Sequence, residues 1–283
     1  MTYSNQTFDE ERALYGIKGA IVENCRFDGP NDGESAMKES SDINVKKCFF
    51  NLRYPFWHVN GADISDCTMT DKCRAPLWYD NDIGIYGCKI NGVKAIRECR
   101  NITLKNTVVS STEFIWKCRN IQAENLTVES DEYPFFEVED MKIKHMKLSG
   151  KYSFQYCTNI KISDSELDTK DALWHTKNAT VVDSVVKSEY VGWYSQDLTF
   201  INCHIVGTQP FCYCKNLVLK NCTMESCDLS FEKSTVDVEV HGKIDGVKNV
   251  ESGRIIADGI GTVIADKNII DGTKTEIIIR NGI

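Results

Sequence analysis

The chain has 283 residues, 42% of them hydrophobic, with a net charge of −8 and a pI near 5.3. That is ample for a large core, and the acidic balance argues against nucleic acid or an anionic membrane as the main partner, because both need a basic surface. No run of 18 apolar residues occurs, so no membrane-spanning helix is expected.

At the N-terminus, "MTYSNQTFDEERALYG" has no basic stretch followed by an apolar one and does not read as a secretory signal. "TFDEERALYG" fits a short helix: Thr7 caps it, acids fill the first turn and Gly16 follows the end. Residues 1–20 are therefore read as an N-terminal cap.

A repeat then begins. "AIVENCRF", "INVKKCFF", "ADISDCTM" and "IGIYGCKI" are followed by "ITLKNTVV", "IQAENLTV", "MKIKHMKL", "IKISDSEL", "ATVVDSVV", "LTFINCHI" and "LVLKNCTM". One column holds Cys25, Cys48, Cys67, Cys88, Thr107, Leu126, Met146, Ser165, Ser184, Cys203 and Cys222. After a first step of 23, the spacing stays between 19 and 21 residues. Each copy alternates apolar and polar residues, the period of a strand. Short second runs such as "YPFWHV", "APLWYD", "ALWHT" and "VGWYS" complete the repeat, and no helix fits between them. Strands and turns at this period predict a single-stranded, right-handed parallel β-helix of about 11 coils of 19–21 residues, spanning 21–245.

Asn and Asp recur on both sides of the first strand, as in Asn101, Asn120, Asn159 and Asn178 before it and Asn106, Asn125, Asp183 and Asn202 after it. These residues suit turns with left-handed backbone, so their carboxylates are read as turn chemistry. "STVDVEVHGKIDGV" reads as one more irregular coil, and the β-rich stretch 246–283 as a C-terminal cap; the whole chain is read as one domain capped at both ends. The thirteen cysteines are odd in number and mostly fall in two columns. They predict packed, reduced thiols and a cytoplasmic location, with no metal site and no cofactor.

The second run carries the functional expectation. Treated as a strand, it must turn one parity outward. Placing Trp57, Trp78, Trp116, Trp174 and Trp193 inward leaves Asp171, Leu173 and His175 outward, with Tyr156, Tyr190 and Tyr194 on adjacent coils and Glu137 two coils away. Gly192 would leave a dent among them. Aromatic rings mixed with acids suit a carbohydrate ligand, whose C–H faces pack on rings and whose hydroxyls bond to acids. Asp171, His175 and Glu137 are the candidate catalytic groups, and Tyr156, Tyr190, Tyr194, Gln209 and Tyr213 the candidate ligand contacts. The alternative is a non-enzymatic interaction protein that uses this apolar stripe for self-association or for a protein partner.

"RAPLWYD", "GKYSFQYC", "EYVGWYS" and "GTQPFCYCKNL" resemble an uncharacterised bacterial family, a domain of unknown function, over nearly the whole length. The resemblance implies a pectin-lyase-like right-handed parallel β-helix and no established activity. Some members of that family are called hydrogenases; the paired CxxC ligands such an activity needs are absent here.

Overall fold

In the computed structural model, which describes residues 1–29 and 34–280, backbone hydrogen bonds run between successive coils. The described chain forms two compact units, Met1–Met146 and Lys147–Ile283. Each is a stack of parallel coils. In the first unit Thr2 lies beside Ile21, then Asn44, Asp63, Gly84, Thr103 and Gln122. In the second, Lys161 lies beside Thr180, then Thr199, Val218, Asp237, Arg254 and Glu276. The fold is a parallel β-helix of about 14 turns, where the sequence suggested about 11.

The additional coils lie at the ends. Thr7–Phe8 pairs with Arg26–Phe27, and the expected helix over 7–16 is replaced by a strand and turns. The backbone donors of Arg12, Leu14 and Gly16 reach Glu34, Ala36 and Lys38 on the next coil, so they are not available for helical bonds. At the other end, Thr235–His241 pairs with Leu217–Glu225 through a register shift between Leu219 and Cys222. Ser252–Ala257 and Thr275–Ile279 continue the same stack. The stretch read as a C-terminal cap is thus built of further coils.

The bends explain the polar columns. Asn24, Asp66, Asn106, Asp183 and Asn202 all have φ between 50° and 54°, and so does the exceptional Lys47. Asn and Asp tolerate this left-handed conformation at lower cost than other residues with a Cβ. Their amides also bond from coil to coil: Asn221 donates to Asn202, and Asn202 to Asp183.

The cysteine column follows directly after these bends. The Cys67 thiol accepts the N–H of Cys48 and donates to the carbonyl of Ser65. Ser184 does the same with Ser165 and Val182. A small side chain with one donor and one acceptor bridges the two coils here, so Cys and Ser interchange, while the apolar Leu126 and Met146 are buried in the same column. All thirteen cysteines are unbridged and buried. Burial pushes the Cys73 thiol up to about 11 and the Cys227 thiol up to about 12.

Asp80 occupies a core position in the second cysteine column and is only 1% exposed. Its Oδ1 accepts the N–H of Val59 at 2.8 Å, while Oδ2 meets no partner. Burial pushes its pKa well above the usual carboxylate range. The folded chain therefore holds a proton that the unfolded chain releases near pH 4. Because the native state binds the extra proton, stability falls as pH rises above about 4. Asp80→Asn keeps the acceptor for Val59 and removes the ionisation. In thermal melts it is expected to raise Tm at pH 7, with the gain shrinking toward pH 4; a lower Tm at pH 7 would contradict this assignment.

Candidate functional site

The aromatic surface is set by an unusual backbone on one side of each coil. In the runs 152–157, 171–176, 190–195 and 209–214, the first, third and fifth residues all have φ between 48° and 76°. Their amides bond to neighbouring coils in both directions. Those of Asp171 and His175 go to Glu189 and Trp193, and that of Leu173 goes back to Ser153.

This backbone removes the simple in–out alternation of a strand. The second and third residues of each run are buried, the fourth is buried or half-buried, and the fifth is exposed in the first three runs and half-buried in the last. Neither parity therefore faces outward as a set. Leu173, expected outside, is fully buried, as are Phe154 and Phe211 in the same column, whereas Trp174 and Trp193, expected inside, lie half-buried at the surface. Gly192 belongs to the buried third column. A Cβ there would come within 2.9 Å of Phe211 Cδ1 and 3.0 Å of Leu198 Cδ1, so the anticipated surface dent is closed from within.

The fifth column forms a continuous stack of rings. Tyr156 and His175 are parallel within 9° with centroids 4.8 Å apart. His175 and Tyr194 follow at 5.2 Å and 9°, and Tyr194 and Tyr213 at 4.7 Å and 8°. This is offset stacking, in which each ring face covers its neighbour. Tyr156 and Tyr194 remain 49% and 48% exposed. Stacking leaves mainly ring edges and polar tips for a ligand.

Beside this ladder stand Trp174 and Trp193, parallel within 7° and 5.5 Å apart. Each indole N–H donates at 2.7 Å to a carbonyl on the next coil, that of Tyr190 for Trp174 and that of Gln209 for Trp193. Tyr190 meets Trp193 edge-on at 5.3 Å. The sequence pattern assigned both tryptophans to the core; recognising left-handed backbone at alternate residues would have placed them at the surface.

The candidate catalytic groups are arranged differently. Asp171 is 8% exposed, and its Oδ1 has no hydrogen-bond partner. Burial raises its pKa, Lys170 nearby lowers it and Glu189 raises it further. No hydrogen bond joins Asp171 to His175 among the described residues. His175 is exposed, but both its faces are covered by tyrosine rings. Glu137 belongs to the first unit, where it is exposed and lies 3.6 Å from Lys117 Nζ. The second unit thus brings Tyr156, His175, Tyr194 and Tyr213 into one line, with Tyr190 and Gln209 beside it through Trp193.

The first unit carries a smaller ring cluster, in which His58 stacks on Tyr79 at 5.1 Å and Trp57 on Trp78 at 5.5 Å. A cavity of about 550 Å³ is lined by residues between Ala265 and Thr273 and contains none of the ladder residues. No group of three or more His, Cys, Asp or Glu is placed to hold a metal ion among the described residues.

A family model described as a protein of unknown function, DUF3737, matches residues 1–278. No curated protein matches the chain. Among solved structures, the catalytic domain of a GH87 α-1,3-glucanase bound to tetrasaccharides aligns at 7% identity and a TM-score of 0.38, over 100% of this chain and 64% of the glucanase chain. The surface adhesin PfbA of Streptococcus pneumoniae aligns at 8% identity and a TM-score of 0.39, over 94% of this chain and 81% of its own. The A-module of a mannuronan C-5 epimerase from Azotobacter vinelandii aligns at 9% identity and a TM-score of 0.28, over 98% and 87%. At these scores the likenesses carry no weight for function.

Tyr194 joins two neighbours of the ladder and meets Trp193 at its side. Tyr194→Ala is expected to cost about 1–3 kcal/mol in chemical denaturation, from two ring pairs at roughly 0.5–1.5 kcal/mol each. Tyr194→Phe, which keeps the ring, should stay close to wild type. Equal stability of all three proteins would show that the ring stack contributes nothing.

Proposed function

The chain belongs to the DUF3737 family, and we propose that it is a carbohydrate-binding protein whose ligand lies along the ring ladder of the second unit. The observation that carries this reading is the surface stack Tyr156–His175–Tyr194–Tyr213, exposed except at half-buried Tyr213, beside the half-buried pair Trp174 and Trp193. A sugar chain presents apolar C–H patches and hydroxyls along one line. The ladder offers phenol hydroxyls and an imidazole edge along one line, with indole surface next to it. Tyrosine and tryptophan combine an apolar body with a polar group, which suits such a ligand. The rings are held by stacking and by the indole–carbonyl bonds, so little side-chain ordering is left to oppose binding.

The reading is one of binding, without a catalytic role for the acids. A glycosidase needs two carboxyl groups facing the same bond. Asp171 is buried, and Glu137 has Lys117 Nζ 3.6 Å away. We propose a cytoplasmic location, a reading supported by the thirteen buried, unbridged thiols, which suit a reducing compartment.

A glycan array followed by calorimetry on any hit tests the proposal. Trp193→Ala and Tyr194→Ala are expected to weaken binding about tenfold or more, the equivalent of about 1.4 kcal/mol. Asp171→Asn and Glu137→Gln should bind as wild type does. Absence of any glycan ligand, or binding unchanged in both ring variants, would refute it.

A further inference from the structure

The last coil of the second unit leaves inward-facing residues uncovered. In the coil before it, Ile244, Val247, Ile255 and Ala257 are buried. Their partners in the last coil are Ile260, Val263, Ile277 and Ile279. Of these, Val263 is 53% exposed and Ile279 44%. Among the described residues only Ser252–Ala257 pairs with Thr275–Ile279, and an uncovered core end beside such an open strand edge invites another strand.

The edge strand has a self-complementary sequence. In Thr275–Ile279 the side chains of Ile277 and Ile279 follow the inward column, and those of Glu276 and Ile278 the outward one. The N–H of Arg280 bonds to the carbonyl of Ala257. Backbone groups alternate along a strand, so those of 276 and 278 also face Ser252–Ala257. Those of Ile277 and Ile279 point to the open edge. Antiparallel pairing with a second copy must therefore match these two residues among themselves.

Three two-fold registers satisfy this condition. Centring on Ile277 sets Lys274 of one copy opposite Arg280 of the other, placing like charges together. Centring on Ile279 pairs only that residue within the strand. Centring on Ile278 pairs Ile277 with Ile279 twice and sets Glu276 opposite Arg280 twice. Cross-strand pairs of opposite charge stabilise a sheet, and like pairs oppose it. Arg280 is already held by Glu239 and Asp258 through its two Nη atoms, which leaves Nε to meet the second copy's glutamate.

We propose that Thr275–Ile279 is a self-association edge, at which a second copy of this chain pairs antiparallel about Ile278 and covers the uncovered end of the core. Ile278 then meets its own counterpart at a non-hydrogen-bonded position, with Cα atoms about 4.5 Å apart.

Sedimentation of the full chain tests the association, and crosslinking tests the register. Wild type should sediment as a dimer, and Ile278→Asp, which places two carboxylates on the two-fold axis, as a folded monomer. All native cysteines are buried, so an introduced thiol can be read alone. Under copper–phenanthroline oxidation, Ile278→Cys should give mostly disulfide-linked dimer, because a separation near 4.5 Å lies within disulfide range. Glu276→Cys, whose counterpart is Arg280, should stay uncrosslinked. A monomeric wild type, a dimeric Ile278→Asp protein, or equal crosslinking at both positions would overturn the proposal.

Discussion

The structure depends on one constraint: each coil must lie in register on the next, because backbone hydrogen bonds run between coils. A 19-residue coil can close only by bending sharply, and the bends fall at residues with left-handed φ such as Asn106, Asp183 and Asn202. Asn and Asp meet that need and bond to their counterparts one coil away. The residue after the bend is buried, and where it is small it bridges a carbonyl and an amide, as Cys67 and Ser184 both do. Backbone geometry thus accounts for the Asn/Asp columns and for the unusual number of cysteines.

The same register builds the aromatic surface. Exposed rings repeated on successive coils fall about one coil spacing apart, close enough for offset stacking. Left-handed residues at alternate positions push the fifth side chain of each run outward and pull the third into the core. His175 and Leu173 illustrate the two outcomes, although they have the same parity. The ladder is therefore rigid and continuous, and its available surface is mainly edge. That geometry favours an elongated ligand with alternating apolar and hydroxyl character over a compact substrate enclosed in a pocket.

Much of the fold was legible in the sequence because coil stacking imposes a numerical period, and the columns of Cys25 to Cys88 and Cys203 to Cys222 display it. The ends were less legible. At 7–16 a good helix pattern gives way to bonds with the next coil, and from 246 to 280 the repeat length changes while the stacking continues. The candidate site was legible in composition but not in orientation. A period of two fails over 171–176, where the backbone does not alternate as a strand does. Hence Trp193 lies at the surface, Asp171 is buried and Gly192 sits in the core column, against the expectation from alternation. That His175, Tyr156, Tyr194 and Tyr213 share a column is legible, because the coil period follows from the repeat alone.

The claim that the ladder is the recognition surface is tested most directly at its imidazole. The chain has five histidines, and His175 alone among them lies in the four-ring stack. Proton NMR of the histidine rings during titration with a bound oligosaccharide should shift the His175 signals while those of His58, His145, His204 and His241 stay in place. Saturable binding that leaves His175 unmoved, or that moves another histidine instead, would contradict the account.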